Sequence, residues 1–213
     1  MEIKLIDNST FLIKNSLGKK ILLDPTQLYP YIKKYDLNPD IITFSHCHNN
    51  EIINSYIDIN CKIINSPSKF VNEYIHIEGF KSYRDNFSGF KRGENIIYLM
   101  NIDNYKICHL GSLGHILDDS LIKKLHNLDF LFIPIGGNFY LDGVSAAKLA
   151  NKLNPKYIIP ICFRNSSNFF YLDGAFNFLS SMKNICAYNT DTLFSNDLSF
   201  NCNSSVIFLS SAL

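Results

Sequence analysis

His46 and His48 stand two positions apart in "FSHCHNNEI" (44–52), directly behind the apolar run 39–45. On an extended backbone this spacing turns both imidazoles to the same side. Neutral imidazole is a good ligand for zinc, so the pair is a candidate metal site. Two ordinary loop histidines would read the same way. Cys47, between them, should point away and pack.

The elements that must position these residues can be read from the pattern. "EIKLI", "TFLIK" and "KILLD" are short apolar or alternating strands, divided by "DNS" and "NSLGK" turns. Pro25 ends the third at Asp24. "PDIITFS" (39–45) is a buried strand, and strand ends are where α/β sheets place sites. A short helix is expected through 51–57, a strand in "CKIINS", and a helix over "SPSKFVNEY" with Pro67 in its first turn. Residues 96–102 and 105–110 predict a hairpin turning at Asp103-Asn104. "DDSLIKKLHNL" is a helix capped by Asp118 or Asp119. "DFLFIPIGG" and "KYIIPICF" are buried strands on either side of an amphipathic helix that stops before Pro155. The tail predicts a helix near 173–183 and strands near "NICAYN" and "SSVIFLS". The mixture predicts a layered α/β fold.

The totals narrow the classes. A chain of 213 residues suits a single domain, 1–213. With 20 basic against 19 acidic residues, nothing favours nucleic acid or an acidic membrane as partner. No apolar run is long enough to span a bilayer, and the N-terminus does not read as a signal peptide. A cytoplasmic protein with six free thiols is the expectation.

"LLDP", "HLGSLGH", "IPIGG" and "IIPICF", in that order with the histidine pair, resemble the metallo-β-lactamase fold. The likeness runs from about Ile3 to Phe163 and is strongest to the metal-dependent hydrolases that include ascorbate-6-phosphate-lactonase-like proteins. It implies a four-layer αββα sandwich. It also implies two metals that activate a water for attack on an ester, lactone, amide or phosphodiester. In that family an H-x-H-x-D-H motif, a later histidine, the aspartate of "GDLGH" and the histidine of "IPIHF" hold the metals.

Carried over residue by residue, the resemblance keeps His46 and His48 and loses the rest. Asn50 and Glu51 replace the motif's Asp and last His. Arg84 falls on the later histidine, Ser112 on the bridging aspartate and Cys162 on the final histidine. Asp24, Asp85, Gly111, His115, Gly136, Gly137 and Asp142 persist around them. A guanidinium does not deprotonate. It repels a cation by about 4 kcal/mol per pair of unit charges at 4 Å and an effective dielectric near 20. The expectation is therefore a pseudoenzyme that has lost its zinc site. Asn50, Glu51, Arg84, Ser112, Cys162 and His115 would form a former pocket, with Glu51 paired to Arg84. His46 and His48, with Cys162, would be a residual metal site at most; Cys162, the cysteine with a case for reaching that pocket, could instead be a nucleophile working with His48 or His115. No cofactor is expected at full occupancy, with one zinc as the alternative. A small molecule, a protein or a second copy of the chain is the expected partner. The alternatives are a hydrolase using one metal or an altered site, and a structural partner of an active relative.

Overall fold

A computed structural model describes residues 1–25, 37–46, 61–165, 171–188, 190–198 and 204–210. The chain opens with β1 (Glu2–Asp7), β2 (Thr10–Lys14) and β3 (Lys20–Leu23), an antiparallel meander. β4 (Ile41–Thr43) and β5 (Lys62–Ile64) then add in parallel to β3. β13 (Thr192–Phe194) closes the other edge, giving the order β13-β1-β2-β3-β4-β5.

The second sheet begins with antiparallel strands β6 (Lys69–Val71), β7 (His76–Tyr83), β8 (Glu94–Ile102) and β9 (Tyr105–His109). It continues in parallel with β10 (Phe130–Pro134), β11 (Tyr157–Ile161), β14 (Ser205–Leu209) and β12 (Asn184–Tyr188). Because β7 and β9 both run antiparallel to β8, the ends of β7, β9, β10 and β11 lie on one side.

Strand alternation decides which face each residue covers. Ile96, Tyr98, Met100 and Ile102 of β8 join Ile13, Ile21 and Leu23 of the first sheet in a core between the sheets. Ile97 turns the other way. It joins Leu131, Ile133 and Ile158 under α1 (Asp119–Lys124), α2 (Gly143–Leu153) and α3 (Phe176–Leu179). Each fully buried large apolar side chain contributes about 1.5–3 kcal/mol. Asp118 and Asp142 cap their helices by accepting from Leu121 N and Ser145 N. α2 ends where Asn154 turns left-handed (φ 46°) ahead of Pro155.

The α/β sandwich and most of its strands are as the pattern predicts. The hairpin turns at Asp103 and Asn104, both at positive φ (50° and 66°), the geometry of a type I′ turn. Two readings need correction. The helix expected over "SPSKFVNEY" is instead the edge strand β6, because Phe70 pairs with Ile77 while Lys69 and Val71 face solvent. The tail helix shrinks to four residues. β7 and β13 are strands the pattern did not reveal. The helix expected through 51–57 lies outside the described residues. No helix among the described residues is long and apolar enough to cross a membrane.

Candidate functional site

The site region sits where the C-terminal ends of β3 and β4 meet those of β9 and β11. Asp24 leaves β3 in a left-handed conformation (φ 45°) and is 2 % exposed. Its Oδ1 accepts the Ser45 backbone N–H at 2.6 Å, and its Oδ2 accepts the Ser45 hydroxyl. Thr10 Oγ1 donates to the Asp24 carbonyl at 2.8 Å. Asp24 is therefore a junction of β2, β3 and the end of β4.

His46 follows directly. Its Nδ1 lies 3.2 Å from Ser45 Oγ and 3.3 Å from Ser112 Oγ. Ser45 has one hydroxyl proton, and Asp24 takes it, so Ser45 can only accept from the imidazole. A protonated Nδ1 satisfies that geometry.

Ser112 reaches His46 because the loop after β9 is held against the first sheet. Asn95 fixes this loop: its Oδ1 accepts Ser112 N at 2.8 Å and its Nδ2 donates to Leu110 O at 2.9 Å. Gly111 (φ 60°) lies so close that an added Cβ would collide with Ser45. Tyr98 also ties the sheets, donating between Phe44 O (2.8 Å) and Ile64 O (3.0 Å). His109 is fully buried with Nδ1 3.9 Å from Asp24 Oδ2, beyond hydrogen-bonding distance. Burial pushes its pKa down, so it is neutral at neutral pH.

Cys162 ends β11 at positive φ (53°) and is 4 % exposed. Burial, then the charge of Asp24, push its thiol far above the ordinary range; hydrogen bonds from Tyr140 and Ser9 oppose this only in part. The group is a protonated thiol, so the nucleophile reading of Cys162 lacks its thiolate. Asn8 secures this end of the strand, accepting Cys162 N at 3.1 Å and donating to Phe163 O at 2.8 Å.

Arg84 follows β7 and lies near Tyr140 and Cys162, whose titrations it influences. Its Nη1 donates to Arg92 O at 3.5 Å, and its Nε is buried with no hydrogen-bond partner among the described residues. Glu51, its predicted partner, lies outside the described residues, as do Cys47, His48 and Asn50. His115 donates from Nδ1 to Ile116 O (2.9 Å) and accepts Tyr83 N at Nε2 (3.2 Å). Both nitrogens are thus spent on backbone, which corrects the expectation of His115 as a partner for Cys162.

Asp85 was predicted only as a supporting residue. Its carboxylate accepts the backbone N–H groups of Phe87 (2.8 Å), Gly89 (2.9 Å), Lys91 (3.0 Å) and Arg92 (2.6 Å). Burial would raise its pKa, but these bonds outweigh it and hold the carboxyl below its ordinary range. The loop so fixed borders a cavity of about 340 Å³ between Arg84, Lys91, Arg92, His115, Asn138 and Tyr140. Sequence reasoning did not single out Lys91, Arg92 or Asn138, although Arg92 lies in the run "YRDNFSGFKRGEN".

The fold implies a metal centre, and the donors can be tested against it. Among the described residues no group of three or more His, Cys, Asp or Glu side chains could hold a metal ion. Ser112 offers a hydroxyl already directed at His46, Cys162 a buried thiol bound to Tyr140, and Arg84 a cation. These described side chains do not fit a two-metal centre.

Two sheets packed face to face, with helices on the outer face of the larger one, define a class of fold. Residues 2–162 match the beta-lactamase superfamily domain, and the chain belongs to that superfamily. It is 27% identical over 194 residues to a UPF0173 metal-dependent hydrolase of Lysinibacillus sphaericus, covering 76% of this chain and 84% of the relative. A UPF0173 metal-dependent hydrolase of Methanosarcina barkeri is 28% identical, covering 76% and 82%. Among solved structures, a metallo-beta-lactamase superfamily protein of Thermotoga maritima superposes with a TM-score of 0.76 at 23% identity, over 98% of this chain and 99% of that one. The short form of human tRNase Z superposes with a TM-score of 0.56 at 12% identity, over 76% and 93%. At these identities the structural likeness is one of fold.

Proposed function

We propose that this chain is a degenerate member of a metal-dependent hydrolase family, in which a hydrogen-bonded polar cluster replaces the two metals and binding replaces hydrolysis. The observation that carries the reading is Ser112. It stands where the resemblance places the bridging aspartate, and its hydroxyl lies 3.3 Å from His46 Nδ1. A neutral hydroxyl cannot offset two divalent ions. Arg84 adds a permanent positive charge on the same side of the sandwich, and Cys162 is turned to Tyr140 and Ser9.

A second reading has one observation in its favour. The sequence keeps the histidine pair His46 and His48, which could hold a single zinc. Metal analysis of protein purified without added zinc separates the two. The degenerate reading expects no stoichiometric metal and no anomalous peak beside His46. It also expects the combined replacement Asn50→Asp, Glu51→His, Arg84→His, Ser112→Asp and Cys162→His to gain metal. If the unaltered protein carries two metals and hydrolyses ester or phosphodiester probes, the reading is wrong.

A further inference from the structure

The cavity beside Arg84 lies next to the polar cluster without containing it: His46, Ser112 and Cys162 do not line it. Arg84, Lys91 and Arg92 bring three positive charges to its wall, against the two carboxylates of Asp85 and Asp142. The formal excess is one, but the distribution matters more. The Asp85 oxygens are taken by four backbone N–H groups. The Asp142 oxygens are taken by the N–H and hydroxyl of Ser145 at 2.9 and 2.7 Å. None of the three cations forms an ion pair among the described residues.

Aromatic faces hold two of these cations in their place. Lys91 Nζ lies 3.7 Å from the Phe87 ring centre, and Arg92 Cζ lies 4.6 Å from that of Phe139. Such contacts fix a cation without neutralising it. Arg92 is further tethered to the Asn138 carbonyl. Both rings remain partly open to solvent, Phe87 at 52% and Phe139 at 38%. Arginine fits carboxylate and phosphate oxygens with two parallel N–H bonds. The result is a cleft whose cations have no carboxylate partner among the described residues, with the Phe87 ring in its wall.

We propose that this cleft binds a small organic oxyanion, with its phosphate or carboxylate among Arg84, Lys91 and Arg92 and its apolar body against Phe87. The inference rests on the reading that the neighbouring site no longer holds metals. The full-length protein, with its metal content measured first, is titrated by calorimetry with phenyl phosphate, benzoate, inorganic phosphate and benzyl alcohol. Phenyl phosphate or benzoate should bind about tenfold more tightly than benzyl alcohol or inorganic phosphate, and added salt should weaken it. The tighter of the two names the oxyanion. Arg92→Gln and Lys91→Gln together should cost about tenfold in affinity with an unchanged melting transition. Arg92→Lys, which keeps the charge but not the fork, should recover only part of it.

Metal-free protein that binds neither organic anion, or variants that bind as well as the parent, would overturn the oxyanion proposal alone. Equal binding of inorganic phosphate would overturn the role of the Phe87 ring. Protein that carries metal, and loses anion binding on chelation, would overturn both this proposal and the degenerate reading.

Discussion

The polar cluster around His46 and the cleft beside Arg84 are neighbours with opposite hydrogen-bond economies. In the cluster, Asp24, Ser45, Asn95 and Ser112 bond mainly to one another and to backbone, within a few per cent of complete burial. In the cleft, the carboxylates are spent on their own loop and helix while the cations are left over. Asp24 and Asp85 show the difference most directly. Both sit just beyond the end of a strand and both are buried. Asp24 joins two strand ends of the first sheet, and Asp85 folds a loop that presents Arg84, Lys91 and Arg92. Binding capacity stays where the protein's own groups do not use it up. The cluster spends its polar groups on the fold, whereas the cleft keeps cations without carboxylate partners among the described residues.

The comparison breaks first at Gly111. Gly111→Val should destabilise the protein by about 3 kcal/mol or more, since the side chain must displace Ser45 and Asn95 at a positive φ. Urea unfolding that matches the parent would mean the loop and first sheet are not in contact. Asp24→Ala should cost about 2 kcal/mol or more by leaving the Ser45 N–H and hydroxyl buried without a partner. A neutral result would remove the claim that this carboxylate is structural. Asp142→Ala, at an exposed helix cap, should cost about 1 kcal/mol in the same assay.

Acid should test the role of Asp85 directly. The folded pKa of Asp85 is depressed, so its stabilisation is complete above the unfolded value of about 3.9 and is lost as pH falls through the lower folded one. Amide exchange in residues 86–92 should rise in that window, earlier than exchange in β8. Cysteine labelling gives the smallest effect. Cys186 is exposed and should react with a thiol reagent in the native protein, whereas Cys108 and Cys162 should react only on unfolding. Rapid native labelling of Cys162 would show that its surroundings open.

Much of the sandwich was legible because buried strands such as 130–134 and 157–161 are unbroken apolar runs, and because caps and turns carry their own residue types. β6 was misread because Pro67 followed by charged and apolar residues fits a helix start as well as an edge strand. Only pairing with β7 distinguishes them. His46 stands out by its spacing from His48, but grouping Arg84, Ser112 and Cys162 with it rests on resemblance, since no spacing rule links four residues on four different strand ends. Ser112 beside His46 needs both sheets in place.

By itself, the sequence determined the order of elements, the alternation that builds a core between two sheets, and the absence of acidic side chains at positions 50 and 112. Those follow from local periodicity and residue chemistry. Tertiary structure alone decided that Asp85 spends its charge on backbone, that His115 spends both nitrogens, and that Lys91 and Arg92 rest on rings instead of carboxylates. A charge has no fixed meaning along a chain, because its partners are chosen only when distant segments close around it.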